Sequence, residues 1–340
     1  MRRWLASTLV RSRTLVLVTL LAVCATACGD FEKESIVLDL RILNIRTEPP
    51  EIVTPFDINN PMNIVLEEVE VCAFVADPHI SRSLTWGMVV CGPTDSDRCD
   101  EADRPFVDMG SGTVEDPEEA TAPVRMCGTI PDGGLVPLIL EDAARLDDLA
   151  GFGGIALQVE FWVRDENGTI AEAEFARKRV VYAPKFPMER VANVNPWVGD
   201  FVVTRSNGRS QSLPMGRCVD QASPLVLKAG EKITIQPNEP AGIREDYVLP
   251  TFDLGSREFT ENMRYFWFST YGSWGSERTG GPTDPFGNSP VRHTEWFAPT
   301  DPLIVGDGVD VQLWFVQRDE RAGSSDYEAC IRVEPNPVAP

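Results

Sequence analysis

Histidine is scarce in this chain, and the motifs that accompany histidine chemistry are missing as well. The 340 residues contain two histidines, His79 and His293, and no CxxC pair. Zinc sites are built from clusters of cysteine and histidine, so we expect no zinc site. No G-x-S-x-G elbow occurs, and neither histidine has a nucleophile in a recognisable setting. We therefore expect a protein that is not an enzyme, with no catalytic residues and no cofactor.

Basic side chains are also in short supply. Lys and Arg number 31 against 52 Asp and Glu, which gives a formal net charge of −21. A surface with this excess of negative charge repels phosphate backbones. The composition therefore excludes nucleic acid as a partner.

One acidic loop, "DSDRCDEAD", is the best candidate for a metal site. It offers carboxylate oxygens of the kind that calcium binds, from Asp95, Asp97, Asp100 and Asp103. The spacing does not match an EF-hand loop, which needs a third ligand where Cys99 stands. We predict a solvated acidic loop without a metal, with calcium as the alternative.

The first 27 residues have the layout of a secretory signal peptide. Four arginines precede an apolar run that is too short to span a bilayer comfortably, and small residues follow it. The stretch Ala25-Thr26-Ala27-Cys28 resembles the lipobox of bacterial lipoproteins. That resemblance implies a lipid-modified Cys28 that anchors the chain at a membrane surface through its acyl chains. Gly29 after this cysteine favours the outer membrane, and residues 28–35 are predicted to form a tether.

Removal of the signal peptide changes the charge and the cysteine count. Residues 1–27 include four of the 31 basic side chains and no acid, so the mature chain has 27 basic and 52 acidic side chains and a formal charge of −25. Six cysteines follow Cys28, and an even number in an exported chain predicts disulfides. Cys91 and Cys99 are positioned to close a small loop, which leaves Cys72 with Cys127. Four cysteines allow three pairings, so this remains a preference.

Alternating apolar and polar residues predict a mainly β protein. "VEVCAFVA" and "SLTWGMVV" alternate with the period of two that marks half-buried strands. One convincing helical pattern lies at "LILEDAARLDDLAGFGG", with Gly151 as its stop. In "LQVEFWVRDENGTIAEAEFARKRVVYAP" we predict a hairpin that turns at Glu166-Asn167-Gly168. Three prolines in "YAPKFPMERVANVNPW" indicate a linker at 188–195, between units 36–187 and 196–340.

The two units repeat the same order of features. "VCAFVADP" matches "ITIQPNEP", the Trp86 strand matches the Trp267 strand, and Arg164-Asp165 matches Arg318-Asp319. Matching order with variable loops indicates two copies of one fold.

These features resemble bacterial immunoglobulin-like domains of the PKD and cadherin-like kind. The matching pieces are an acidic residue before proline (Asp77-Pro78 and Glu239-Pro240), the tryptophan strands and the late Arg-Asp hairpins. The resemblance implies two tandem immunoglobulin-like antiparallel β-sandwiches, with one short helix in the first. In that topology the first and last strands are neighbours, which makes a Cys218–Cys330 disulfide geometrically reasonable. Strand parity places Cys330 outside the core.

Candidate binding residues are aromatic. Tyr271 and Trp274 lie among Gly and Ser beyond a strand, where we expect them to be exposed and able to contact a protein or glycan ligand. Our first hypothesis is a non-enzymatic cell-envelope lipoprotein that presents two immunoglobulin-like domains for binding or as a structural spacer. The alternatives are an accessory subunit of an outer-membrane or secretion assembly, and a carbohydrate-binding or carbohydrate-active surface protein.

Overall fold

Strands dominate the part of the chain that the structure describes. This computed structural model describes residues 33–55, 65–78, 82–94, 98–99, 104–114, 125–148, 151, 153–253 and 255–337. The first half has the strands β1 (Arg41–Glu48), β2 (Glu51–Thr54), β3 (Val69–Ala76), β4 (Leu84–Cys91), β5 (Phe106–Val114), β6 (Arg125–Ile130), β7 (Ile155–Asp165) and β8 (Glu174–Pro184). The second half has β9 (Phe201–Arg205), β10 (Ser210–Ser212), β11 (Leu225–Lys228), β12 (Lys232–Pro237), β13 (Asp246–Pro250), β14 (Ser256–Thr260), β15 (Arg264–Ser269), β16 (Ser273–Trp274), β17 (Arg278–Gly280), β18 (Thr294–Phe297), β19 (Val309–Arg318) and β20 (Ser324–Glu334).

The described helices are short. Helix α1 spans Val136–Leu146, and α2 spans Pro302–Val305 in the second half, where no helix was predicted. The first ends before Gly151 because Asp147 already has extended backbone angles. The two 3₁₀ turns are Ile170–Glu172 and Cys218–Asp220. In the described ranges, no helix has the length and apolar character needed to cross a membrane.

The first half is a sandwich of two sheets. One sheet has the strand order β1-β3-β6, and the other has the order β2-β8-β7-β4-β5. Neighbouring strands are antiparallel except β2 and β8, which are parallel. Alternate side chains of both sheets point inward, so that Val71 and Val159 share one apolar core, and α1 adds Val136 and Ile139. Burial of one face of each sheet is the arrangement that the alternating pattern predicted.

The second half repeats this arrangement. Its inner sheet has the order β11-β20-β19-β15-β17, with β11 parallel to β20, and it faces the sheet β10-β9-β12-β18-β16. The two five-stranded sheets, β2-β8-β7-β4-β5 and β11-β20-β19-β15-β17, therefore have the same connectivity and the same strand directions. All three predicted sequence matches fall on equivalent strands, namely β3 with β12, β4 with β15 and β7 with β19.

The tryptophan match is shifted by two positions. Trp86 lies opposite the residue just before Arg164, whereas Trp267 lies opposite the third residue before Arg318. Met88 therefore corresponds to Trp267 in the shared register. This shift explains why Trp267 is fully buried in the core while Trp86 is half-buried at its margin.

The β7–β8 hairpin turns where predicted, but by a different geometry. The backbone N–H of Gly168 donates to the carbonyl oxygen of Asp165 at 3.0 Å. Neither Asn167 nor Gly168 has a positive φ, so the turn does not use the property that makes Asn-Gly a hairpin signal. The connection instead continues through the 3₁₀ turn Ile170–Glu172 before β8 begins.

A third apolar cluster joins the two sandwiches, and we call it the seam. The outer face of β1 and β3 contributes Leu43, Phe74 and Ala76, and the outer face of β19 contributes Trp314 and Val316. Each of these side chains is at most 5 % exposed. The four sheets of the two sandwiches are thus stacked face to face, with an apolar core between each neighbouring pair.

The predicted linker is part of this packed structure. Asn195 donates from Nδ2 to the carbonyl oxygen of Thr47 at 2.7 Å and accepts from the backbone N–H of Ser324 at 2.9 Å. Its side chain therefore connects β1 of the first half with β20 of the second. The chain divides into the units Met1–Glu34 and Ser35–Pro340, and every described helix and strand belongs to the second unit.

Candidate functional site

A partly open cleft of about 630 Å³ lies between the two sandwiches. From the first half it is lined by Val37, Leu38 and residues 75–78. From the second half it is lined by the 3₁₀ turn Cys218–Asp220, the turn after β15 and the outer face of β19. Small-molecule sites have volumes of roughly 300–1,000 Å³. The cleft therefore has the size of a binding site for a small molecule or for one or two side chains of a partner.

Backbone pairing holds the first wall in place. The N–H of Val37 donates to the carbonyl oxygen of Ser269 at 2.9 Å, and the N–H of Ser269 donates to that of Ser35 at 2.9 Å. The residues that enter the first half therefore pair with the end of β15 in the second half. Ser35 also donates from Oγ to Oε1 of Glu277 at 2.8 Å, which fixes this end of the predicted tether.

A disulfide holds the opposite wall in place. Cys218 is bonded to Cys330 of β20, and its backbone N–H donates to Oε1 of Gln312 at 2.8 Å. These two links press the 3₁₀ turn against the outer face of β19 and β20. Val219, which is 59 % exposed, is thereby presented at the edge of the cleft.

Glu328 is the carboxyl group in the cleft with the most unusual environment. It is half-buried, and the indole N–H of Trp314 donates to its Oε1 at 3.2 Å. Burial raises the pKa of Glu328 to about 7, although the nearby guanidinium groups of Arg217 and Arg125 lower it. No ion pair within 4 Å involves Glu328 in the described chain. Near neutral pH this group is therefore present in both its protonated and its ionised form.

The other ionised groups of the cleft have partners of opposite charge. Asp77 pairs with Arg82 at 2.7 Å, Asp310 with Arg332 at 3.1 Å, and Arg217 with Asp220 at 2.9 Å. These pairs neutralise the charges they contain. Glu328 is consequently the side chain through which the cleft can select the charge of a ligand.

The two aromatic residues predicted to contact a ligand differ in their exposure to solvent. Tyr271 lies in the turn after β15, is 36 % exposed and lines the cleft. The prediction for Trp274 was wrong, because this residue is 4 % exposed and packs in the core of the second half. It lies in the two-residue strand β16, opposite Trp296, and its indole N–H donates to Oγ of Ser269 at 3.1 Å.

The described residues contain three disulfides, and they are the pairs that the sequence favoured. They join Cys72 to Cys127, Cys91 to Cys99, and Cys218 to Cys330. Stable disulfides require an oxidising environment, so the chain belongs to an extracytoplasmic compartment. Cys330 lies outside the sandwich core, as strand parity predicted, but it is fully buried because the 3₁₀ turn and the first half cover that face.

Several candidate residues lie outside the described part of the chain. These are the lipidation candidate Cys28, the histidine His79 and the calcium candidates Asp95, Asp97, Asp100 and Asp103. His293 is described and exposed, just before β18. Glu70 lies near the sulfur atoms of Cys72 and Cys127, but both sulfurs are in a disulfide and so are not thiolate ligands.

A buried cluster of charged side chains forms a second site where the two halves meet. Arg321 bonds to Glu51 at 2.5 Å and to Glu261 at 3.4 Å, and Arg190 bonds to Glu51 at 2.8 Å. Glu51, Arg190 and Glu261 are each at most 6 % exposed. Burial raises the pKa of Glu261 to about 7, helped by the neighbouring carboxylate of Asp319. Because these groups pair with one another and do not line the cleft, we assign the cluster a role in holding the halves together.

Sequence reasoning missed Glu328 and Arg321. Glu328 shares strand parity with Asp326 and Cys330, which predicts only that it lies outside the sandwich core. Arg321 lies three residues after the recognised Arg318-Asp319 motif, in what read as an ordinary polar turn. No signal in the sequence indicates that another sheet covers this face.

Comparison of the chain with models of known protein families finds no match, and comparison with curated protein sequences finds no significant match.

Proposed function

We propose that this chain is a non-enzymatic lipoprotein of the cell envelope, built from two tandem immunoglobulin-like sandwiches, that binds a ligand in the cleft between them. The observation that carries the proposal is the cleft itself, whose walls come from both halves and are fixed by backbone pairing and a disulfide. A rigid site of this kind favours binding, since little ordering has to accompany association.

The duplicated architecture supports the immunoglobulin-like assignment. In both halves, a short edge strand runs parallel to the last strand, and the Trp-containing β4 and β15 occupy the same place in the sheet. We place the domain boundary in the predicted linker at 188–195. The contacts of Asn195 with both halves make that linker a rigid junction, which suits a structural spacer as well as a binding protein.

The side chains of the cleft support binding over catalysis. Asp77, Asp310 and Arg217 are engaged in ion pairs, and Glu328 is hydrogen-bonded to Trp314. A carboxyl group with a pKa near 7 is the kind of group that general acids use, but catalysis needs a second group aligned with it. The cleft also has apolar lining residues, among them Val37, Leu38 and Val219, which suits the holding of a ligand.

Lipid anchoring is the part of the proposal that is most easily tested. Cells that express the full chain are labelled with an alkyne-bearing fatty acid, and the wild type is compared with Cys28→Ala. We expect Cys28→Ala to lose the label and to leave the membrane fraction. The matched control is Cys24→Ala, which should keep both. A Cys28→Ala chain that still incorporates the fatty acid would exclude a lipoprotein anchored at this residue.

A further inference from the structure

Glu328 gives the cleft a carboxyl group that forms no ion pair within 4 Å in the described chain, although Arg217 and Arg125 lie near enough to lower its pKa. Its Oε1 accepts one hydrogen bond from Trp314, and its other oxygen, Oε2, has no bonding partner in the described chain. The nearest strand neighbour with a charge, Asp326, is itself paired with Arg125 at 2.5 Å. A half-buried carboxylate gains more from a cation than an exposed one does, because water screens the interaction less.

The cleft that contains this carboxyl group also has apolar lining residues. Among them, Val75 and Trp314 are nearly buried, whereas Leu38, Val219 and Tyr271 are more exposed. Tyr271 also offers an aromatic ring, whose face attracts organic cations. An inorganic cation would gain nothing from such walls, whereas an alkyl or aryl group would be removed from water there.

From this arrangement we infer that the cleft binds a small organic cation with an apolar body, an alkylammonium or arylalkylammonium, whose nitrogen bonds to Glu328 while its carbon chain packs on Val219 and Tyr271. The inference rests on the proposed function, because it takes the cleft to be a binding site. It adds the chemical class of the ligand and the residue that selects it.

The titration of Glu328 gives this binding a pH dependence. With a pKa of about 7, the carboxyl group is mostly protonated at about pH 6 and mostly ionised at about pH 8. The charged groups that face it are Arg217, Asp326 and Arg125. Only the ionised form attracts an ammonium group strongly, so affinity should rise several-fold between these two pH values.

The test uses three probes of equal length: hexylammonium, hexanol and hexanoate. Each is titrated into the full chain in a non-ionic detergent, and ligand-observed NMR gives the dissociation constant. We expect hexylammonium to bind about tenfold more tightly than hexanol, which corresponds to about 1.4 kcal/mol, and hexanoate to bind most weakly. Glu328→Gln keeps the shape and the acceptor for Trp314, and it should remove the preference for hexylammonium.

A matched variant controls for net charge and for detergent partitioning. Glu258→Gln changes an exposed carboxylate on β14, outside the cleft, and should leave all three constants unchanged. Tyr271→Ala should weaken every probe that binds in the cleft. Thermal unfolding of Glu328→Gln establishes that the variant is folded before its affinities are compared.

The outcomes separate the two claims. If hexanol binds as tightly as hexylammonium, or if Glu328→Gln keeps the preference, the assignment of an organic cation is wrong. Should Tyr271→Ala still weaken hexanol in that case, the cleft remains a binding site, as proposed. Failure of all three probes to bind would overturn both the organic cation and the use of this cleft for small ligands.

Discussion

Arg321 is the central side chain of the buried charged cluster between the two halves. Its guanidinium group bonds to Glu51 at 2.5 Å and lies 3.4 Å from Glu261 and 3.5 Å from Glu245. It also lies over the ring of Tyr247, 4.8 Å from the ring centroid. These partners come from β2, from β13 and the residue before it, and from the residue after β14. One side chain therefore connects the first sandwich with the antiparallel strands β13 and β14 of the second half.

Removal of this side chain should be strongly destabilising. Among the described residues, Arg321→Ala leaves Glu51 with Arg190 as its one cationic partner and Glu261 without a cation. Breaking one half of a buried pair costs about 3–5 kcal/mol. Chemical unfolding measures this loss. Arg209→Ala removes the same charge from an exposed turn and should change the free energy of unfolding by less than about 0.5 kcal/mol. Equal stability of the two variants would show that the charged cluster does not hold the two halves together.

Glu261 should make stability depend on pH. Burial raises its folded pKa to about 7 from 4.5, with Asp319 and Glu245 raising it further and Arg321 opposing them. A raised pKa means that the folded state binds the proton more tightly, so the stabilisation is complete below about pH 4.5 and is lost as the pH rises through about 7.

The difference between the wild type and Glu261→Gln isolates this contribution. Between about pH 5 and about pH 8 the wild type should lose on the order of 1–3 kcal/mol more of its free energy of unfolding than the variant does. Urea unfolding at both pH values provides the measurement, and parallel curves for the two proteins would contradict the assignment. Glu328 titrates in the same range, but it is present in both proteins and cancels.

Trp274 marks the limit of sequence reasoning at the scale of single residues. Its surroundings, "YGSWGS", have the composition of an exposed loop. The ring is buried because a strand of only two residues, β16, pairs it opposite Trp296 and places it 5.8 Å from Trp267. A strand that short has no period to detect. The exposure of Tyr271 was predictable, since it follows a regular strand and precedes a glycine with positive φ.

At the scale of elements, β19 and β20 are buried on more of their surface than their sequence pattern predicts. Their alternation predicts one buried face, and the inner face does carry Leu313 and Ile331. Their outer face is covered by the first half, which buries Trp314, Val316 and Asp326 as well. Polar residues on that face indicated solvent, but Asp326 meets Arg125 of β6 instead. A period of two identifies a strand and its core face, but it does not show whether the other face is exposed to solvent.

The disulfides should stabilise these elements unequally. Cys218–Cys330 spans 112 residues of sequence, and Cys91–Cys99 spans 8. In the loop-entropy model the first contributes about 5 kcal/mol and the second about 2.5 kcal/mol. The double variants Cys218→Ala/Cys330→Ala and Cys91→Ala/Cys99→Ala should therefore differ by about 2 kcal/mol in urea unfolding. A larger loss from the short loop would mean that native contacts, rather than loop length, decide the contribution.

At the scale of the whole molecule, the sequence carried no sign of how its two halves are arranged. Repeated features pointed to two similar halves, and one sheet of each half has the same strand order, β2-β8-β7-β4-β5 in the first and β11-β20-β19-β15-β17 in the second. The prolines near residue 190 indicated a linker, with no sign that Asn195 connects both halves. The seam depends on complementary outer faces of distant strands, β1 and β3 with β19. Such a contact leaves no local pattern, and neither does the cleft that it creates.

Small-angle X-ray scattering of residues 35–337 tests the central claim, that the two sandwiches are stacked into one rigid body. A compact chain of this length has a radius of gyration of about 19 Å, and we expect a value near that with a single-peaked distance distribution. A radius above about 25 Å with two separated lobes would mean that the sandwiches move independently. In that event the seam and the cleft between the halves would not persist in solution.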